Sequence, residues 1–441
     1  MKLLPDMKKF SLISLGCPKN AADSEKVVNL LIQNGFVLVN ENSSEEILVI
    51  NTCAFIKDAV NEAKAVIKEA IKRKKKNQVA FIIVIGCLAS RFKKEDLASE
   101  VSEVDLWLAP KEEDKIVETI NQCINARNNA SASEISSVKN VYTKITPFYY
   151  AYLKISEGCN NFCSYCTIPK IRGTYKSFSV DDILSTAQNY LRMGVKELIL
   201  VAEDTTIWGI DFYQKPALNI LLENLVKLPD LPWIRIMYAY PQHVTDDLIQ
   251  TIKKYPQICN YLDLPVQHIS DQILAGMNRK YSKKQLQNLL TDLKREIPDL
   301  ALRTSLIVGF PEETDAEFNE LLDFVEEYQF DHLGCFPFSK EQDTKAGSML
   351  GQVKPRIAQE RIKKIMLKTQ KIKESQNQKL VGRTFDAIYE GNQIARSYRE
   401  APDIDSIIFL PESQDLIRGN FYKVQITDFD EYDLVGEVQD F

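Results

Sequence analysis

Three cysteines, Cys159, Cys163 and Cys166, fall within eight positions in the stretch EGCNNFCSYC. Thiolates at this density favour zinc or an iron–sulfur cluster. Structural zinc takes four protein ligands, and the nearest histidine, His243, lies far along the chain on another predicted strand. A cubane has four irons, each wanting one external ligand. Three cysteines leave one iron open, and an open coordination position is where a catalytic metal receives its substrate. The run therefore predicts a site-differentiated 4Fe–4S cluster.

A second set of cysteines is dispersed. FSLISLGC ends at Cys17, EILVINTC at Cys53 and VAFIIVIGC at Cys87, so three strand-like runs each end in a cysteine. Free cysteine is often buried, and three unrelated core thiols are one reading. The repeated placement argues for another. Each run is followed by a helical pattern: Val27, Val28, Leu30 and Leu31 after the first, and Ala59, Val60, Ala63, Val66, Ile67 and Ala70 after the second. Alternating strands and helices imply an open parallel sheet, whose ligands sit at the carboxyl ends of the strands. Cysteines about 35 residues apart can converge there.

The elements that must position these residues follow from the rest of the chain. Asn125 to Asn140 is rich in Ser, Asn and Ala and reads as a linker. Strand-like runs then alternate with helical ones: AYLKISEG, ELILVAED, IRIMYAY, YLDLPVQ, LRTSLIVGF and HLGCFPF, with helices near Val180–Arg192, Asp246–Lys254, Ser282–Lys294 and Asp315–Glu327. That is a partial (β/α) barrel, short of eight repeats. A charged amphipathic helix follows from about Pro355 to Lys379, and from Val381 the pattern is all-β with Gly391, Gly419 and Gly436 at turns, a small barrel.

Composition narrows the class. The 441 residues carry a net charge of −6 and nine cysteines. The first excludes a global nucleic-acid footprint, and the second is too sparse for a disulfide scaffold, so a reducing cytoplasm is expected. MKLLPDMKKFSLISLGC has too short an apolar stretch for an export signal. No apolar run approaches the roughly 18 residues that span a bilayer, so no membrane partner is expected. IKRKKK at Ile71 to Lys76 closes a predicted helix, where cations suit the macrodipole; a solvated helix end and an RNA contact are its two readings.

CNNFCSYC, with Tyr165 before its last cysteine, resembles the cysteine motif of the radical S-adenosylmethionine (SAM) enzymes. The resemblance implies that SAM chelates the open iron and is cleaved by one electron to a 5′-deoxyadenosyl radical. Gly194 and Glu197 stand where that family's Gly-Glu motif meets the SAM amino group. SLIVGFPE, from Ser305 through Gly309 to Glu312, resembles its adenine-side motif, and Arg303 on the same strand is a partner for the SAM carboxylate.

The full plan resembles the methylthiotransferases. It implies a cluster domain over 1–126, a linker over 127–144, a radical SAM partial barrel with connecting helix over 145–378, and a TRAM-like β-barrel over 379–441. In that family Cys17, Cys53 and Cys87 would bind a second 4Fe–4S cluster whose open iron carries the transferred sulfur, so SAM is both methyl donor and radical source. SLGCPKN with Asp23-Ser24-Glu25, EDTTIWG from Glu203 through Asp204, Thr205 and Thr206 to Gly209, and REAPDID from Arg399 to Asp405 resemble the ribosomal-protein aspartate (RimO-type) branch more than the tRNA-adenosine branch. The branch implies a basic small-subunit ribosomal protein, number twelve, or the ribosome itself as partner. It also implies a flavodoxin or ferredoxin as electron donor, and a monomer. Glu203, Asp204, Thr205 and Thr206 end a predicted barrel strand, the catalytic face, and are expected to contact substrate.

Charge supplies a separate test. From Val381 onward 13 acidic residues face 5 basic ones, which suits a basic protein better than RNA. A non-catalytic zinc or RNA-binding module is the rival from another class. Cys123, Cys259 and Cys335 read as packing residues, whereas His243 and His268, at predicted strand ends, admit both a pocket-lining and a structural role.

Overall fold

The computed structural model describes residues 8–128, 142–412 and 415–439. Most of the expected linker, 129–141, lies outside the described residues. The chain divides into two compact units, one made of Met1–Pro147, Glu157–Asn160 and Cys166–Tyr175, the other of Phe148–Ser156, Asn161–Tyr165 and Lys176–Phe441.

In the first unit β1 (Lys9–Ser14), β2 (Val37–Leu38), β3 (Ile47–Thr52), β4 (Phe81–Gly86) and β5 (Leu106–Leu108) form a parallel sheet in the order β2-β1-β3-β4-β5. The middle strand β3, ILVINT, is buried at every position, as a parallel strand covered on both faces must be. Alternate residues serve opposite cores: Leu48 and Ile50 meet Ala63 and Ile67 of the helix Lys57–Lys75, and Ile47 and Val49 join Val27, Val28 and Leu31 of the helix Pro18–Gln33. The basic run ending Lys57–Lys75 is spent largely on local acids: Lys72 pairs with Glu69, Arg73 with Glu41 and Glu45, and Lys74 with Asp105.

The second unit opens with β6 (Tyr150–Lys154). After the short pair β7 (Ser156–Glu157) and β8 (Lys176–Ser177) come β9 (Glu197–Val201), β10 (Trp233–Ile236), β11 (Ile258–Asp263), β12 (Ala301–Val308) and β13 (His332–Pro337). Its six-stranded sheet runs β13-β12-β11-β10-β9-β6, parallel and in chain sequence, which is the expected partial barrel. The expected helices are present as Val180–Arg192, Asp246–Lys254, Lys283–Glu296 and Asp315–Tyr328. Ser179, Thr245, Ser282 and Thr314 each cap one, their side-chain oxygens accepting a backbone N–H of the first turn. The helix Pro355–Leu380 follows, and β14 (Thr384–Gly391), β15 (Ile394–Ser397), β16 (Ile408–Phe409), β17 (Phe421–Asp430) and β18 (Asp433–Val438) close into a barrel. Among the described residues no helix is long and apolar enough to cross a membrane.

Candidate functional site

The dispersed triad is assembled by the sheet of the first unit. β3 pairs with both β1 and β4, and each of the three strands runs out toward its cysteine at the carboxyl edge. Two glycines make the approach possible. Gly16 has φ +91°, and a Cβ there would lie 2.5 Å from Cys53 Cβ; Gly86, also at φ +91°, would place one 2.2 Å from Asn51 Oδ1. Only glycine takes this backbone without cost and leaves room for the neighbour. Burial pushes the Cys53 thiol up, with Cys17 adding to the rise and the Phe55 amide, Lys19 and Arg172 opposing it; burial carries the Cys87 thiol up to about 11, against the Arg172 guanidinium and with Cys53 and Cys17 adding to the rise. The three thiols thus lie within electrostatic reach of one another, with Arg172 and Lys19 as the cations that act on them.

The surrounding polar groups order that pocket. Asn20 of SLGCPKN donates to the carbonyls of Leu15 and Thr52 at 2.9 and 3.0 Å, and its Oδ1 accepts from Arg172 Nη2 at 2.7 Å. Arg172 Nη1 pairs with Asp23 Oδ2 at 2.6 Å, and Nη2 reaches Cys87 Sγ at 3.4 Å. Ser24 donates to Ser14 Oγ, and Glu25 accepts from the amides of Ile145 and Thr146. The three residues Asp23-Ser24-Glu25 therefore have three separate tasks. Arg172 escaped the sequence reading, and Asn20 entered it only as the last residue of SLGCPKN; the cue available for the first was an Arg-Gly pair, Arg172-Gly173, shortly after the compact cysteine run.

Does this donor set fit a cluster? Among the described residues no three His, Cys, Asp or Glu side chains are close enough to share one metal ion. A cubane binds its ligands through separate irons and does not need them around one point. Three converging thiols, a carboxylate taken up by arginine and a buried cation facing the sulfurs suit an anionic iron–sulfur cluster.

The compact run is pinned locally. Gly158, at φ +74°, would drive a Cβ to 2.3 Å from the Thr174 carbonyl oxygen, and Cys159 N donates to the Gly173 carbonyl at 3.2 Å. Cys166 Sγ accepts from Ile168 N at 3.4 Å. In the second unit Ser164 binds the Met277 and Gly276 carbonyls, Asn278 Nδ2 donates to Phe162 O, and Arg279 Nη1 reaches Cys163 Sγ at 3.6 Å. Tyr165 packs with Ile273, Met277 and Phe310.

Asp204 is the hub of the carboxyl edge beyond β9. It is 1% exposed. Its Oδ2 accepts from Asn161 Nδ2 at 2.7 Å and His243 Nδ1 at 2.8 Å, and its Oδ1 accepts from Thr206 Oγ1 and the Ile207 amide. Thr205 Oγ1 donates to the Met237 carbonyl, and Thr206 Oγ1 accepts from the Tyr240 amide. Glu203 sits half-buried beside them. Asn161 belongs to the cysteine run, so the EDTT stretch reaches that run directly. His268 is fully buried, held neutral at a pKa near 3 by desolvation, and its Nδ1 accepts from Ser270 N.

Other expected cofactor contacts lie elsewhere. Gly194 and Glu197 precede or begin β9 and so stand at the opposite end of that strand from Asp204. Glu197 is wholly buried between Arg235 and Arg396, each at 2.6 Å. Arg303, third of the eight residues of β12, is bound by Asp263 at 2.9 Å and Asp405 at 3.2 Å. Glu197 is thus taken up by Arg235 of β10 and Arg396 of β15, and Arg303 in part by the segment REAPDID, which meets the second unit's partial barrel at the amino ends of its strands. Asp403 accepts from Tyr150, Asp405 from Tyr261, and the Arg399 carbonyl from His332. Gly309, at φ +76°, admits the helix Pro355–Leu380; a Cβ there would lie 2.7 Å from Ala358 Cβ. Cys259 and Cys335 are carried up to about 12 by burial, and Cys123 packs in the first unit's core.

Residues 153–325 match the Radical SAM superfamily, 9–109 the Uncharacterized protein family UPF0004 and 375–438 the TRAM domain. The fold is similar to that of TsrM, a radical S-adenosylmethionine methyltransferase from Kitasatospora setae, with TM-score 0.56, 13% identity and 77% of each chain covered. These define a radical SAM protein with two added domains. The chain is 41% identical to the ribosomal protein uS12 methylthiotransferase RimO of Lachnoclostridium phytofermentans, over 98% of this chain and all of the relative. It is 40% identical to that of Clostridioides difficile and 42% to that of Clostridium novyi, again over 98% of this chain and 99% and 98% of the relatives. The chain belongs to the RimO family of ribosomal protein uS12 methylthiotransferases.

Proposed function

We propose that this chain adds a methylthio group to the β-carbon of an aspartate in small-subunit ribosomal protein uS12, with SAM and two 4Fe–4S clusters. Cys17, Cys53 and Cys87 would hold one cluster, and Cys159, Cys163 and Cys166 the other. When bound, these groups supply the sulfur, the methyl group and the radical that takes hydrogen from carbon. The chain's residues do the positioning: Gly16 and Gly86 let the dispersed cysteines approach, Arg172 favours their thiolate forms, and Asp204 holds Asn161 of the compact run. Glu203, Thr205 and Thr206 belong to the same edge as substrate-side residues. The division into 1–126, 127–144, 145–378 and 379–441 is part of the reading, as are a flavodoxin or ferredoxin donor, a monomer and a cytoplasmic setting.

The observation that carries the reading is the second triad: a radical SAM barrel alone does not need three thiols gathered beside Arg172 in a separate sheet. Charge supports a basic partner. Glu390, Glu400, Asp405, Arg396 and Arg399 are internal, yet Asp386, Glu412, Asp415, Asp428, Asp430, Glu431 and Glu437 still leave the barrel surface acidic.

The test has two parts. Anaerobically reconstituted protein should hold about eight irons per chain, and Cys17→Ala or Cys163→Ala about four. Cells lacking the gene should lose the methylthio mass on uS12 and keep their tRNA nucleosides unchanged. Loss on tRNA alone transfers the enzyme to the other branch, and a colourless zinc protein ends the reading.

A further inference from the structure

Each cysteine triad has one buried arginine against one sulfur, and the two arginines differ in what else they touch. Arg172, 3% exposed, lies 3.4 Å from Cys87 Sγ. Its charge is balanced by Asp23 at 2.6 Å, with Glu157 at 3.4 Å. Arg279, 8% exposed, lies 3.6 Å from Cys163 Sγ. Its other groups go to neutral partners: Nε to the Tyr281 hydroxyl and Nη2 to the Pro265 carbonyl, both at 2.7 Å, with its guanidinium 4.2 Å from the centre of the Tyr240 ring. Burial raises both phenols above their ordinary range, so neither is an anion. Among the described residues no carboxylate pairs with Arg279.

A buried cation without an anion is costly. The anion it lacks among the described residues is one that Cys163 would bring, a thiolate-ligated cluster. Cluster potentials follow local net charge and hydrogen bonding to sulfur, and Coulomb interactions are strong away from water. Resting on the two-cluster reading above, we propose that Arg279 is a positioning residue for electron delivery: its uncompensated charge raises the midpoint of the cluster at Cys159, Cys163 and Cys166, while Asp23 cancels the same effect of Arg172 at the amino-terminal cluster. One electron from a flavodoxin- or ferredoxin-class donor then settles where SAM is cleaved; the donor is oxidised by one electron, the cluster is reduced by one, and no bond changes.

The test is a mediator-buffered dithionite titration of the reconstituted full-length protein, without SAM, followed by electron paramagnetic resonance with iron counted per chain. Cys53→Ala and Cys163→Ala assign the two signals. Fewer than about eight irons in the parent protein overturns the two-cluster reading itself. With both clusters present, Arg279→Gln should lower the compact cluster's midpoint by at least tenfold in the reduced-to-oxidised ratio, about 59 mV for one electron. Arg279→Lys should retain the parent value. Asp23→Asn should raise the amino-terminal midpoint. An unchanged or raised compact midpoint in Arg279→Gln overturns the proposal. If that variant loses its cluster, Asp23→Asn decides: a raised amino-terminal midpoint supports the proposal, and an unchanged one overturns it.

Discussion

Glu313 shows how one residue can connect stability to pH. Its Oε2 accepts from the amides of Gly309 and Phe310, and its Oε1 pairs with Arg361 at 2.8 Å. Burial outweighs these partners and carries the carboxyl from 4.5 up to about 7. A carboxyl with a raised folded-state pKa stabilises most when protonated. Its contribution is complete below about 4.5 and is lost as pH rises through about 7. The loss is on the order of 3 kcal/mol. Glu313→Gln should flatten this part of the profile, checked by urea unfolding at pH 5 and pH 8; an equal slope in the variant refutes the assignment. The Gly309 turn shares the carboxylate, so the flattening reports directly on the junction after β12.

At the scale of the element, the cysteine-bearing strands depend on two glycines more than on their apolar runs. Gly16→Ala puts a methyl 2.5 Å from Cys53 Cβ at a φ of +91°. The strained backbone alone costs roughly 1–3 kcal/mol. The expected outcome is a folded protein with lower Tm that holds about four irons, those of the compact run. Full iron content in this variant would mean that the approach of β1 to β3 does not set the site. Gly194→Ala is the contrast: it has positive φ but open space around it, so it should lower Tm and leave iron content unchanged.

The strand runs, the helical runs and the cysteine at each strand end were legible because they are local: apolar periodicity acts over a few residues. The same local logic could not show what pairs with Glu197 and Arg303. Each was read from its strand alone, yet the groups that occupy it, Arg396 and Asp405, come from about 100 to 200 residues later. Arg172 and Arg279 were silent for a related reason: an arginine's significance lies in whether its neighbours cancel its charge.

For the molecule as a whole, the second unit is held together through charge at the amino ends of its strands. Glu197 bridges Arg235 and Arg396, and Arg235 also donates to the Tyr398 carbonyl at 2.7 Å. Glu197→Ala leaves the buried Arg235 without this carboxylate and Arg396 with Glu390 alone, and breaking such a buried pair costs about 3–5 kcal/mol. A fall in Tm with loss of cooperativity between the partial barrel and the TRAM barrel is expected in calorimetry; an unshifted single transition would show that the network adds nothing. The acidic barrel surface gives the complementary prediction. Asp428→Lys with Asp430→Lys should reduce kcat/KM for the basic ribosomal protein several-fold at low salt and little at high salt, whereas a salt-independent loss would point away from steering.

By itself the sequence determined the chemistry. Two sets of three thiols, the parallel α/β and all-β alternation and the acidic final domain are written in residue type and local period, and the alternation is the one the folded chain follows. The tertiary structure alone decided which charges are spent. It neutralises Arg172 with Asp23 and, among the described residues, leaves Arg279 without a carboxylate. It also commits Glu197 to Arg235 and Arg396, and Arg303 to Asp263 and Asp405. The reason is physical: a thiol's capacity to bind metal is a property of the residue, but the net charge around a buried group is a sum over neighbours that only the fold brings together.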